Sequence, residues 1–234
     1  MKIIKNEKLI KRKGTIGNWM NLSAIAILGG ALYFTFMNQT NSQMILYSYI
    51  ALFAGLIVMQ IGMYLGIRYG RSPRPDEKLD AGLKGLPGDY TLYHYTTPAS
   101  HLLVGPAGVW VLMPYHQRGQ VSYQKNRWRL GGGGPLQAYM RIFGQEGIGR
   151  PDAEIDSELR NIRKHFAKQL DDSAIPEIRP LMIFTSDDVQ IDAEDAPVPA
   201  LKLKQVKDFL RQKAKEIKLS SQNIQEINAT FKQE

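Results

Sequence analysis

No Asp, Glu, Lys or Arg occurs between Lys13 and Arg68, and this uncharged interval constrains the chain more than any other feature of its sequence. Within it, Trp19 to Met37 and Met44 to Ile67 are each long enough, at about 1.5 Å per helical residue, to cross a hydrocarbon core roughly 30 Å thick. The polar stretch Asn38-Gln39-Thr40-Asn41-Ser42-Gln43 lies between them as a tight turn, and Trp19, Tyr33, Tyr47, Tyr49, Tyr64 and Tyr69 include candidate interfacial anchors. Two transmembrane helices in a hairpin are expected. A cleaved signal peptide fits poorly, because the first apolar run leads straight into a second.

Charge is divided sharply along the chain. The whole protein carries 30 Lys/Arg against 22 Asp/Glu, a net of +8. Residues 1–74 hold 9 of the basic residues and one acid, Glu7, which leaves 30 − 9 = 21 basic and 22 − 1 = 21 acidic residues in 75–234. The remainder is therefore neutral, and the basic excess flanks the apolar runs: Lys2, Lys5, Lys8, Lys11, Arg12 and Lys13 before the first, Arg68, Arg71 and Arg74 after the second. Since cytoplasmic flanks are enriched in Lys and Arg, both ends are expected in the cytoplasm of a multi-pass protein of the cell membrane. No ionisable residue lies inside either run to carry a proton or ion pathway. Gly62 and Gly66, in Gly-x-x-x-Gly spacing, allow close helix approach, either within the hairpin or against a membrane-protein or homo-oligomeric partner. Cysteine is absent, which excludes disulfides, thiol nucleophiles and cysteine metal sites.

The expected organisation is a basic cytoplasmic N-terminus (1–17), a transmembrane hairpin (18–70), a linker (71–76) containing Ser72-Pro73-Arg74-Pro75, and a cytoplasmic domain (77–234). In that domain Asp76 to Leu86 reads as a short helix. Tyr90 to Tyr95, Leu102 to Val104, Val109 to Met113, Gln120 to Gln124 and Trp128 to Leu130 read as an antiparallel meander. Pro135 to Phe143 reads as a further short helix between glycine-rich loops. Ile155, Leu159, Ile162, Phe166 and Leu170 recur at helical spacing, so Pro151 to Leu170 is an amphipathic helix. Leu181 to Phe184 and Val198 to Leu203 follow as buried strands. Gln205 to Ile217 and Ser221 to Lys232 follow as helices, the last capped by Ser220 or Ser221. The order implies an α/β domain with a mixed central sheet flanked by helices.

The stretch Ser100-His101-Leu102-Leu103-Val104-Gly105-Pro106-Ala107-Gly108-Val109-Trp110-Val111-Leu112 resembles the nuclease-related domain (NERD) family. That family shows an Asp-His pair leading a strand, a Gly-Pro-x-Gly-Val turn, and a second strand ending in Glu-x-Lys. Leu83 to Tyr90, Gly119-Gln120-Val121, Pro135 with Gln137, and Leu181 to Phe184 extend the likeness over roughly residues 77 to 230. The resemblance implies a restriction-endonuclease-like fold, in which an acid and a Glu hold Mg²⁺ and a Lys assists the attacking water. Here Ser100 stands at the Asp position, Met113 at the Glu position and Tyr115 at the Lys position. A neutral hydroxyl, a soft thioether and an uncharged phenol do not rebuild a Mg²⁺ site. Pro114 further suggests that the strand ends or bulges there.

Other residues carry side chains suited to chemistry. His94, His101 and His116 form a possible cluster, with ordinary half-buried histidines the blander account. Asp80 and Asp89 lie near where the family carries a helix Glu, with solvated carboxylates the blander account. Arg118, Lys125, Arg127 and Arg129, with Tyr123 and Trp128 interleaved, form a basic-aromatic stripe suited to nucleic acid or lipid headgroups, or simply an exposed hairpin face. With Gln137 these are the binding candidates. Two readings stay open: a non-catalytic binding or scaffold protein without catalytic residues, metal or cofactor, and a membrane-tethered Mg²⁺-dependent DNA nuclease with displaced ligands.

Overall fold

The structure, a computed structural model, describes residues 1–132, 147–171 and 174–231. Two compact units are present, one formed by residues 7–74 and the other by residues 1–6 with 75–234.

The first unit is a helical hairpin of α1 (Glu7–Met37) and α2 (Ser42–Leu65), the latter ending in one π-helical turn, Gly66–Gly70. Asn41 caps α2, its side-chain oxygen accepting from the N–H groups of Gln43 (3.1 Å) and Met44 (3.3 Å). Both helices are long and apolar enough to cross a membrane. Their packing is the reverse of a water-soluble pair. Trp19, Ile25, Phe36, Tyr47, Phe53 and Tyr64 point outward, whereas the buried positions include Gly17, Ala24, Ala31, Gly55 and Gly62. Small residues inside and large apolar residues outside suit a lipid environment, where close backbone approach replaces hydrophobic burial as the cohesive force. A Cβ on Gly62 would lie 2.4 Å from Asn21 Oδ1, and one on Gly66 3.7 Å from Asn21 Nδ2, so this pair of glycines meets the hairpin's own first helix.

The second unit is α/β. Its elements are β1 (Lys2–Lys5), α3 (Pro75–Leu83), β2 (Thr91–His94), β3 (His101–Gly105), β4 (Gly108–Tyr115), β5 (Gly119–Gln124) and β6 (Arg127–Gly131). There follow α4 (Pro151–Gln169), β7 (Ile178–Phe184), β8 (Val189–Asp192), β9 (Ala200–Lys202), α5 (Val206–Ile217) and α6 (Ser221–Ala229). Among the described residues the strands form a mixed sheet in the order β1-β2-β3-β4-β7-β9 and a smaller sheet, β6-β5-β8. The expected single meander is thus split: β2, β3 and β4 are antiparallel, but β5 and β6 leave to pair with β8.

The large sheet lies between two apolar layers. Val109, Val111, Met113 and Tyr115 of β4 pack with Ile155, Ile162 and Phe166 of α4 and Ile224 and Ile227 of α6. The alternate residues Trp110 and Leu112 pack with Leu79 and Leu83 of α3 and Val206 and Leu210 of α5. β4 is covered on both faces, which explains its nearly continuous apolar run. The turn before it needs glycine twice. Gly108 has φ +96°, and a Cβ on Gly105 would lie 2.3 Å from the Tyr90 ring.

Three further features differ from what the sequence implies. Residues 2–5, read only as part of a basic flank, form β1, parallel to β2 with Lys2 opposite Thr91 and Lys5 opposite His94. Pro114 neither ends nor bulges β4, which continues to Tyr115 in register with Phe184. Tyr115 O accepts from Thr185 N–H at 2.8 Å, so Tyr115 presents its backbone to β7 and Pro114 presents its own to the opposite side. There the paired register with β3 has already stopped at Leu102–Val111, and no ladder donor is required of the proline. β8 is an additional strand that its short sequence did not disclose. The helix read at Pro135 to Phe143 lies outside the described residues.

Candidate functional site

The two faces of the large sheet carry different polar groups at the C-terminal end of β4. On the α4 face, Ser100 immediately precedes β3, and its N–H and hydroxyl both donate to the Glu158 carboxylate, each at 2.8 Å. One helical turn earlier, Glu154 Oε2 accepts from the Tyr115 hydroxyl at 3.3 Å. Met113 lies two residues before Tyr115 on β4 and belongs to the apolar core. Ser100, Met113 and Tyr115 therefore share one face, as strand alternation requires of 113 and 115. Two of them are bound to glutamates of α4 that the sequence reading did not single out. The only signal was the spacing Glu154, Glu158 on the helix, which an exposed charged face would equally produce.

On the opposite face a partly buried polar chain begins at Lys5. Its ammonium is bonded to Asp80 and lies 3.3 Å from Asp76, which is fully buried. Asp80 Oδ1 is 3.0 Å from His94 Nε2, and His94 Nδ1 is 2.7 Å from His101 Nδ1. With Nε2–H donating to Asp80, a neutral His94 accepts from His101 at Nδ1. The Tyr95 ring stands edge-on to His101, with centroids 4.8 Å apart. Burial opposes the charge on Lys5, but hydrogen bonding and attraction from Asp80 and Asp76 outweigh it and hold its pKa above the ordinary lysine value. Asp80, His94 and His101 were sequence candidates that the fold brings together, while Lys5 and Asp76 join them unforeseen. His116 lies just past β4. This chain is not on the face of Ser100, Met113 and Tyr115, because His101 follows Ser100 in an extended segment.

Neither face fits Mg²⁺. No group of three or more His, Asp or Glu side chains among the described residues is arranged to hold a metal ion. On the α4 face Met113 offers only a soft thioether and Tyr115 an uncharged phenol, and the carboxylates present accept from Ser100 and Tyr115.

The basic-aromatic stripe separates by strand alternation. Tyr123 pairs with Trp128 across β5 and β6 and Val121 with Leu130, and these side chains turn toward the core. The Trp128 indole donates to Asp152 Oδ1 at 3.1 Å. Arg127 and Arg129 lie on the other side with Gln124, and Arg118 and Lys125 are likewise exposed. Arg118, Lys125, Arg127 and Arg129 are thus on the surface, whereas Trp128 is not available for stacking. Gln137 lies outside the described residues. Comparison of the chain with protein-family models, with curated proteins and with solved structures finds no match.

Proposed function

We propose that this chain is a membrane-anchored binding or scaffold protein, with a cytoplasmic, restriction-endonuclease-like domain of NERD type that has lost nuclease chemistry. The observation that carries the reading is the state of the three motif positions. Ser100 and Tyr115 are hydrogen-bonded to glutamates of α4, and Met113 is packed in the core. These residues support the domain and provide neither a hard-ligand set nor a cation beside a nucleophile.

The membrane part rests on the outward apolar surface of α1 and α2 and on the course of the chain. The chain leaves the α/β unit at Asn6 and re-enters it at Pro75. The pairing of β1 with β2 supports a topology in which residues 2–5 and the domain share one side of a bilayer, with an even number of crossings between them. The two apolar helices supply that number, and the Lys/Arg-rich flanks favour the cytoplasmic side.

The test is an assay of the full chain in lipid nanodiscs with Mg²⁺ or Mn²⁺ on single-stranded, duplex and branched DNA. No cleavage is expected. Metal-dependent cleavage that disappears in Glu158→Gln would overturn the reading in favour of a nuclease with displaced ligands. Topology is read independently by placing single cysteines in this cysteine-free chain. Asn41→Cys is expected to react from outside intact cells, and Asn126→Cys only after permeabilisation.

A further inference from the structure

We propose that the outer face of the β5–β6 hairpin docks onto anionic phospholipid headgroups through Lys125, Arg127 and Arg129, an inference that rests on the membrane-anchored reading above. The hairpin is two-sided. Its apolar side chains, Val121, Tyr123, Trp128 and Leu130, pack into the core, and its other side presents Gln124, Arg127 and Arg129 to solvent. At the tip, Lys125 and Asn126 take φ values of 52° and 56° in a two-residue turn, leaving both exposed. Among the described residues no carboxylate forms an ion pair with Lys125, Arg127 or Arg129. Asp192 of β8 shares this face but pairs in register with Ser122, on the far side of β5 from Arg129.

The placement of the hairpin within its own unit favours lipid as the partner. β2 and β4 are both antiparallel to β3, so their C-terminal ends coincide. At that end Asn6, the last residue of the unit before the apolar helices, donates its N–H to His94 O at 3.0 Å. Asp76, in the first turn after the chain returns, contacts Lys5 at the same end. The small sheet also starts there, since β5 follows β4 and β8 follows β7. The small sheet that carries the basic face and both connections to the apolar helices thus start from one end of the unit. Nucleic acid fits this surface less well, because single-strand binding uses exposed rings and the aromatics here are turned inward. A cationic surface without rings suits phosphate headgroups, each basic residue contributing roughly fivefold in affinity, and a tether makes even a weak contact effective.

The test uses the full-length cysteine-free chain carrying Asn126→Cys with an environment-sensitive fluorophore, reconstituted in nanodiscs with and without phosphatidylserine. Emission is expected to shift blue, and to be quenched by headgroup spin labels, only with phosphatidylserine. High salt and the double variant Arg127→Glu/Arg129→Glu should each abolish the shift. Identical emission in both lipids, or a shift indifferent to salt, would overturn the inference, as would a shift produced by DNA in neutral discs and not by phosphatidylserine. Failure of the underlying reading is distinguishable, because such a chain would not float with liposomes in alkaline carbonate.

Discussion

Ser100 gives both its backbone N–H and its hydroxyl to Glu158, so the residue where the resemblance would place an acid is a donor to a carboxylate on the neighbouring helix. Reinstating the acid should therefore harm the domain. Ser100→Asp places two carboxylates within hydrogen-bond reach, and a loss of about 1–3 kcal/mol of stability at neutral pH is expected. Thermal unfolding at pH 7 and pH 4 reads it: the defect should shrink at the lower pH and in the Ser100→Asp/Glu158→Gln double variant, without nuclease activity appearing.

Lys5 should hold β1 to the sheet. Replacing it by Met removes the ammonium that bonds Asp80 and lies beside Asp76, and a loss of about 2 kcal/mol is expected from the missing charge-assisted bonds. Amide exchange should accelerate at residues 2–5 before it does in β4. Unchanged protection of Ile3 and Ile4 would contradict this.

The hairpin seam predicts a contrast between glycines. Gly62→Leu drives a side chain into Asn21, whereas a Cβ on Gly29 meets nothing within 4 Å. Disulfide trapping between cysteines introduced across α1 and α2 should fail in Gly62→Leu and persist in Gly29→Leu.

Alkaline pH should weaken the α/β unit. Burial pushes the Tyr93 phenol up to about 12 from its ordinary 10.0. Its stabilisation is complete below pH 10 and is lost as pH rises through 12. Lys5, also raised, contributes with the same sign, fully present below its ordinary 10.5 and lost above. In Tyr93→Phe the fall in melting temperature between pH 10 and 12 should be shallower, although the bond to Asn228 Oδ1 (2.9 Å) is forfeited.

Core packing gives a final check. Phe166 is fully buried on the α4 face, and Phe166→Ala should cost roughly 3–5 kcal/mol, measurable as a lowered unfolding midpoint.

What the sequence determined was local. The uncharged interval announced α1 and α2, the spacing from Ile155 to Phe166 announced α4, and Ser220, whose hydroxyl accepts from Asn223 N–H at 3.1 Å, announced the start of α6. Each is a pattern whose interacting residues lie within a few turns of one another. The tertiary structure alone decided that Lys2–Lys5 is a strand, because its partner lies 89 residues further along the chain, and four residues carry too short an alternation to declare themselves. It also decided that Lys5, Asp80, His94 and His101 form one polar chain while Ser100, Tyr115, Glu154 and Glu158 meet on the other face. Which side chains meet across a sheet depends on strand register and helix docking, and these are set by burial summed over the whole unit, a quantity no short stretch of residues contains.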